Sequence, residues 1–255
     1  NLEYIFPIRF VWVIVLVSFK NVTMPNCMDL ESLRKKIDSG EITFKKNVGI
    51  IESGQLVDVK DKSSTYEIAH GWDIVTSVQI DREWGAYYLR LFEIIKSRNY
   101  SEKEIEEIFS KIQNEDVHWD WFNKSVAYRE DCYNWFYLIA DEKPQGACLI
   151  YHPKSSLIDS NDIFYIEFVA VAPWNRSNPI IKKKYKGVGT ILIKCALKFS
   201  IDALGLKPGF SLNALPQAEE YYKRIGMLRF PEKDNGKLIY FEMPRKTCAE
   251  MIGKP

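Results

Sequence analysis

The run Lys184-Tyr185-Lys186-Gly187-Val188-Gly189-Thr190 lies between two stretches of different periodicity. Upstream, Phe164 to Ala172 (FYIEFVAVA) reads as a buried strand, and downstream Ile193, Ala196, Leu197, Ser200, Ile201 and Leu204 recur at helical spacing. A strand, a glycine loop and a helix start together build an anion site. Glycines allow a sharp turn and close backbone approach, and the free N–H groups of a helix's first turn point at negative charge. Lys182, Lys183, Lys184 and Lys186 add cations. The alternative at this point is a tight strand-to-helix turn that uses two glycines, with the lysines on a solvated loop.

A second pattern follows at Ala218-Glu219-Glu220-Tyr221-Tyr222-Lys223-Arg224-Ile225-Gly226-Met227. Pro216 suits a helix start, Glu219 and Glu220 a first turn, Lys223 and Arg224 a last turn, and Gly226 a C-terminal cap. On its own this is a short capped helix that packs Tyr221 or Tyr222 into a core.

Together the two patterns resemble the GNAT superfamily of acyl-CoA-dependent N-acyltransferases. That family carries a glutamine or arginine, two variable residues and then Gly-x-Gly or Gly-x-Ala after its fourth strand; here Lys184 precedes Gly187 and Gly189. It also carries a segment like A-x-x-x-Y-x-x-x-G-F; Ala218, Tyr222 and Gly226 match, and Met227 replaces the phenylalanine. The resemblance covers roughly Asp131 to Pro244. It implies an α/β (α+β) fold with a central, mixed, mostly antiparallel sheet flanked by helices, acetyl-CoA as co-substrate, and an amine acceptor whose identity the motifs leave open.

The resemblance also implies site residues. The pyrophosphate would rest on the backbone of Lys186, Gly187, Val188, Gly189 and Thr190, and the loop lysines, Lys184 included, would hold the 3′-phosphate. Val169, Ala170 and Val171 would lie where the strand splays from its neighbour, with the Val169 N–H polarising the thioester carbonyl. Glu167, at the parity of Val169 and Val171, would be the general base, its pKa raised in an apolar strand; the alternative is a strand-edge salt bridge. Tyr222 would protonate the leaving thiolate. Asn213 is a candidate cofactor contact, two residues before Leu215, which stands where the family often has asparagine. Pro173-Trp174-Asn175-Arg176 looks like the family's P-x-x-R, but Pro179 stands where its glycine is due, so Trp174 to Lys183 reads as an inserted loop.

The rest of the chain bounds this expectation. Its 255 residues, 46% hydrophobic, allow a real core, and a net charge of +1 gives no reason to expect DNA as a partner. Cys27, Cys132, Cys148, Cys195 and Cys248 are scattered and form no CxxC pair. They fit free thiols in a reducing compartment, and hence the cytoplasm, better than disulfides or zinc. His70, His118 and His152 show no ligand spacing, so no metal is expected.

Residues 1–99 read as an extension or a small α+β subdomain, 100–247 as the acyltransferase domain and 248–255 as a tail. Phe10 to Phe19 (FVWVIVLVSF) is too short to span a membrane as a helix and reads as a buried strand, a cloning product reaching to about residue 23, or an anchor. Asn21-Val22-Thr23 is a glycosylation sequon by pattern. Leu30, Leu33 and Ile37 line a short helix ending near Gly40, and Ile42 to Lys60 alternates like strands with a turn near Ser53-Gly54. Ala86 to Arg98 reads as a helix, and Ser101 with Glu104 as a capping box ahead of Ile105, Ile108, Phe109 and Ile112. Tyr133–Ala140 and Gln145–Tyr151 form a hairpin around Asp141-Glu142-Lys143-Pro144, and His118 to Phe122 reads as core or acceptor pocket. A catalytically silent CoA-binding module and a toxin-type enzyme acting on aminoacyl-tRNA are the alternative functions. A homodimer is compatible with the sequence.

Overall fold

The computed structural model describes residues 29–44 and 48–253. The apolar run at Phe10 to Phe19, the sequon and Cys27 lie outside the described residues. The chain divides into two compact units, Asn1–Ile42 and Thr43–Pro255. In the first, helix α1 (Leu30–Asp38) is N-capped by Asp29, whose carboxylate accepts from the Ser32 N–H at 2.9 Å. The expected boundary near residue 99 falls inside the second unit.

The second unit is built on one sheet of eight strands: β1 (Gly49–Val57), β2 (Ser63–His70), β3 (Tyr133–Ala140), β4 (Lys143–Ser155), β5 (Asp162–Val171), β6 (Phe210–Ala214), β7 (Leu228–Arg229) and β8 (Ile239–Met243), in the order β1-β2-β3-β4-β5-β6-β8-β7. Helices α2 (Ile74–Ser97), α3 (Glu102–Ser110) and α4 (Trp121–Ala127) fall between β2 and β3. Helix α5 (Val188–Asp202) links β5 to β6, α6 (Glu219–Arg224) follows β6, and α7 (Arg245–Met251) follows β8. The mixed, mostly antiparallel sheet flanked by helices is therefore the observed architecture. Its parallel pair, β5 with β6, needs a crossover, and α5 supplies it.

Local chemistry explains most boundaries. Ser101 and Glu104 form the reciprocal capping box that starts α3. Asp73 caps α2 by accepting from Val75 and Thr76, so the helix expected from Ala86 is the second half of a 24-residue one. Asp141 and Glu142, with φ of 51° and 59°, make the two-residue turn between β3 and β4, and β4 resumes at Lys143.

The turn expected at Ser53-Gly54 is not there. β1 runs straight through, with Ser53 opposite Glu67 and Gly54 opposite Tyr66. The reversal comes at Asp58, whose carboxylate accepts from Lys60 and Lys62 N–H at 2.7 and 3.0 Å. Gly54 is needed for space: a Cβ there would lie 2.7 Å from the Tyr66 ring.

Two cores cover the two faces of the sheet. Val188, Leu192, Ala196 and Leu197 of α5 pack with Phe136, Cys148, Ile150, Phe164 and Ile166 on one face. Ile80, Trp84 and Trp121 of α2 and α4 pack with Trp135, Tyr137, Leu149 and Ala170 on the other. Trp121 and Phe122, from the aromatic run, are buried. Gly146 lets α5 sit close to β4, because a Cβ there would meet Leu192 at 2.8 Å. Cys248, expected to open a tail, is fully buried within α7.

Candidate active site

Three features converge at the C-terminal end of β5. The first is a divergence of strands. β5 pairs with β6 only through Phe164–Phe210, Tyr165–Ser211 and Ile166–Leu212, whereas its pairing with β4 continues to Val171. The Ala172 N–H donates to the Gln145 carbonyl at 2.8 Å, which makes Gly146–Val171 and Cys148–Val169 non-hydrogen-bonded pairs of the antiparallel ladder. The N–H groups of Val169 and Val171 and the Val169 carbonyl therefore face away from β4, into the gap opened by β6. Ala170 directs its polar backbone at β4 instead.

The second feature is the start of α5. Gly187 is its N-cap residue in the left-handed region, φ 79°, and no side chain caps the helix. The first internal bond is Ile191 N–H to the Gly187 carbonyl at 2.9 Å, so the N–H groups of Val188, Gly189 and Thr190 remain without intrahelical acceptors. A Cβ on Gly189 would lie 3.4 Å from Val171, which places this turn against the end of β5.

The third feature is the tyrosine pair of α6. Tyr221 OH lies 3.0 Å from Thr190 Oγ1 in the first turn of α5. Tyr222 is buried in the same core cluster as Cys148, the residue opposite Val169. Burial pushes the Tyr222 phenol well above its ordinary 10.0, and the neighbouring Tyr221 and Cys148 push it the same way. It thus holds its proton throughout the physiological range.

The loop ahead of α5 is pinned at its base. Asn175 accepts from the Tyr185 N–H at 3.0 Å, and the Lys184 N–H donates to the Trp174 carbonyl at 2.8 Å. The chain thus leaves the site at Asn175 and returns at Lys184, with the intervening residues as a loop. Lys184 Nζ donates to Asp141 at 2.5 Å, and Tyr185 OH donates to the same carboxylate at 2.6 Å. Those bonds hold the Asp141 carboxyl below its usual range. Lys186 is exposed.

Arg176 lies at the base of this loop. Its Nε and Nη2 donate to the Val171 carbonyl at 2.9 and 2.7 Å, and its two terminal nitrogens also bind Asp116. The side chains are only 9% and 8% exposed. Arg176 therefore satisfies the Val171 carbonyl and leaves the Val171 N–H facing the gap, and the sequence carries no spacing signal for its distant partner. Asp116→Ala should destabilise the protein by about 3–5 kcal/mol, because it strands a buried guanidinium. Adding Arg176→Met should recover part of the loss in urea unfolding.

Glu167 departs from its expected orientation. Leu149 pairs with Phe168 and Ile150 with Ile166, so Glu167 is the extra residue of a β-bulge. Simple alternation fails across the bulge. Glu167 shares the face of Tyr165 and Phe168, not that of Val169 and Val171. Burial raises the phenols of Tyr128, Tyr133 and Tyr165, the last to about 12, and the Glu167 charge adds to each. Burial raises the Glu167 carboxyl above its ordinary 4.5, with Lys154 opposing. It stands one residue past the last β5–β6 pair, at the apex of the gap.

Asn213 lies on the same face as Tyr165 and donates to its hydroxyl at 2.8 Å, so its amide nitrogen is engaged away from the α5 loop. Among the described residues no group of three or more His, Cys, Asp or Glu side chains could hold a metal ion, and no helix is long and apolar enough to cross a membrane.

No family model matches the chain, and no curated protein matches it in sequence. Similar solved structures include the GNAT domain of S. lividans PAT, at 7% identity and TM-score 0.45, over 75% of this chain and 96% of that one. They also include the PaiA N-acetyltransferase from Thermoplasma acidophilum in complex with coenzyme A, at 16% identity and TM-score 0.39, over 69% and 97% of the two chains. A third is the Campylobacter jejuni N-acetyltransferase PseH in complex with acetyl coenzyme A, at 15% identity and TM-score 0.33, over 58% and 94%.

Proposed function

We propose that this chain transfers an acetyl group from acetyl-CoA to a primary amine within a ternary complex. The observation that carries the reading is the gap between β5 and β6 beyond Ile166–Leu212, with the uncapped first turn of α5 against the same strand end. An extended pantetheine arm fits such a gap as a surrogate strand, hydrogen-bonded to Val169 and Val171. A pyrophosphate fits the N–H groups of Val188, Gly189 and Thr190.

The chemistry follows from these placements. The Val169 N–H donates to the thioester oxygen, where charge develops as the amine attacks. Glu167 removes a proton from the attacking amine, directly or through water. The new C–N bond forms, the C–S bond breaks, and Tyr222 gives its proton to the departing thiolate.

Appearance of free CoA thiol that depends on both acetyl-CoA and an added amine tests the reading. No thiol release above the uncatalysed background, across small amines and protein lysines, would count against transfer and leave a CoA-binding module. The activity should also carry an acid limb. Glu167 acts as a base only when ionised, and its pKa lies above 4.5. kcat/KM should therefore rise with pH through a midpoint above that value. Glu167→Gln should lower the rate about 10²-fold or more and remove that limb. A limb that survives the substitution belongs to another group.

A further inference from the structure

The bulge that turns Glu167 also places Phe168 on the same face, and a chain of aromatic rings extends from there. Phe168 lies 5.6 Å from Tyr128, and Tyr128 lies 5.0 Å from Tyr133, centroid to centroid. On the other side Phe168 lies 5.1 Å from Trp119. Into this row reaches the ammonium of Lys124 on α4, 3.9 Å from the Phe168 centroid and 5.2 Å from that of Trp119.

This ammonium makes no ion pair or hydrogen bond among the described residues. The nearest opposing charges, Asp120 and Asp81, act on it without pairing. Asp81 accepts from the Trp121 and Phe122 N–H groups at 2.8 and 2.9 Å, and Asp120 from the Asn123 backbone and side chain at 2.8 and 2.9 Å. Burial lowers the Lys124 pKa, which marks a cation with less hydration than it would have in water. Lys154 adds a second positive charge near Glu167. A carboxylate at Glu167 and an ammonium over the ring of the next residue, Phe168, suit an acceptor with charges of both signs.

We infer that the acceptor is a small primary amine that also carries an anionic group, its amine at Glu167 and its anion at the Lys124 ammonium above Phe168. This rests on the acyltransferase reading of the Glu167 site. The Phe168 face beside the ammonium suits a short carbon spacer, and the anion supplies the hydrogen bonds that Lys124 does not make among the described residues. Carboxylate and phosphate share this chemistry.

The test compares β-alanine, γ-aminobutyrate and O-phosphoethanolamine with ethanolamine and 1,4-diaminobutane as acceptors, for the full chain and for Lys124→Met. CoA thiol release is the readout, and acetyl-CoA affinity is followed by calorimetry. The anionic amines should be preferred over ethanolamine by about 10–100-fold in kcat/KM, a charge-assisted hydrogen bond's worth. That ratio should collapse towards unity in Lys124→Met while acetyl-CoA affinity is kept. The carboxylate and phosphate arms show which anion is preferred. Equal use of neutral and anionic amines, a preference for the diamine, or equal losses for all acceptors in the variant would overturn the inference. If acetyl-CoA binds and none of the five is acetylated, the anionic-amine inference fails and the CoA site stands. If acetyl-CoA does not bind, the acyltransferase reading itself fails.

Discussion

Gly189→Glu should weaken acetyl-CoA binding by at least about 100-fold, with no loss of thermal stability. The substitution sets a carboxylate in the first turn of α5, where three N–H groups have no intrahelical acceptor. There it competes with the pyrophosphate for the same donors and repels it. Losing one or two charge-assisted hydrogen bonds, each worth about 1.5–3 kcal/mol, accounts for the factor. The fold should tolerate the change for two reasons. The new Cβ meets Val171 at 3.4 Å, an ordinary contact, and a negative charge at a helix N-terminus is favourable by about 0.3–1 kcal/mol. Calorimetry with acetyl-CoA and a thermal melt on the same sample read both halves. Unchanged affinity would remove the phosphate site from α5.

Tyr222→Phe should lower kcat by about 10²-fold or more and leave the affinity for acetyl-CoA within a few-fold. The phenol lies in the core near Cys148, the residue opposite Val169, and no capping bond of α6 depends on its hydroxyl. Removing one oxygen keeps the ring packing against Phe241 at 6.0 Å. Its loss should therefore register in chemistry and not in folding. The phenol titrates far above neutrality, so the wild-type profile should show the acid limb of Glu167 and no descending limb from Tyr222 below about pH 9. Full activity in Tyr222→Phe at every pH would remove the proton-donor role.

The parts of this site that are local in sequence are the parts the sequence shows. The Ser101–Glu104 box, the hairpin at Asp141-Glu142 and the glycine loop before α5 each depend on residues within a few positions of one another. What the sequence hides depends on partners far along the chain. The β1 residue Gly54 looks like a turn until Tyr66, on the facing strand, is seen to need its space. A boundary near residue 99 looks natural until β2 is found paired with β3 across three intervening helices.

The bulge at Glu167 is the most consequential case. Alternation along FYIEFVAVA puts Glu167 with Val169 and Val171, and only the register against β4 reveals the extra residue. Arg176 stands in a stretch that looks like the family's P-x-x-R, yet its guanidinium lies between the Val171 carbonyl and Asp116. Lys124 carries no motif at all. Its position over Phe168 arises from the docking of α4 on the sheet.

The central claim is that the first turn of α5 holds the pyrophosphate of acyl-CoA while the gap between β5 and β6 holds its arm. Calorimetric titration of the wild-type chain with acetyl-CoA and with S-acetylpantetheine, which has the arm and lacks the nucleotide and pyrophosphate, tests it most directly. Acetyl-CoA should bind one to one and at least about 100-fold more tightly than the truncated thioester. Equal affinities, or no saturable binding of acetyl-CoA, would contradict it.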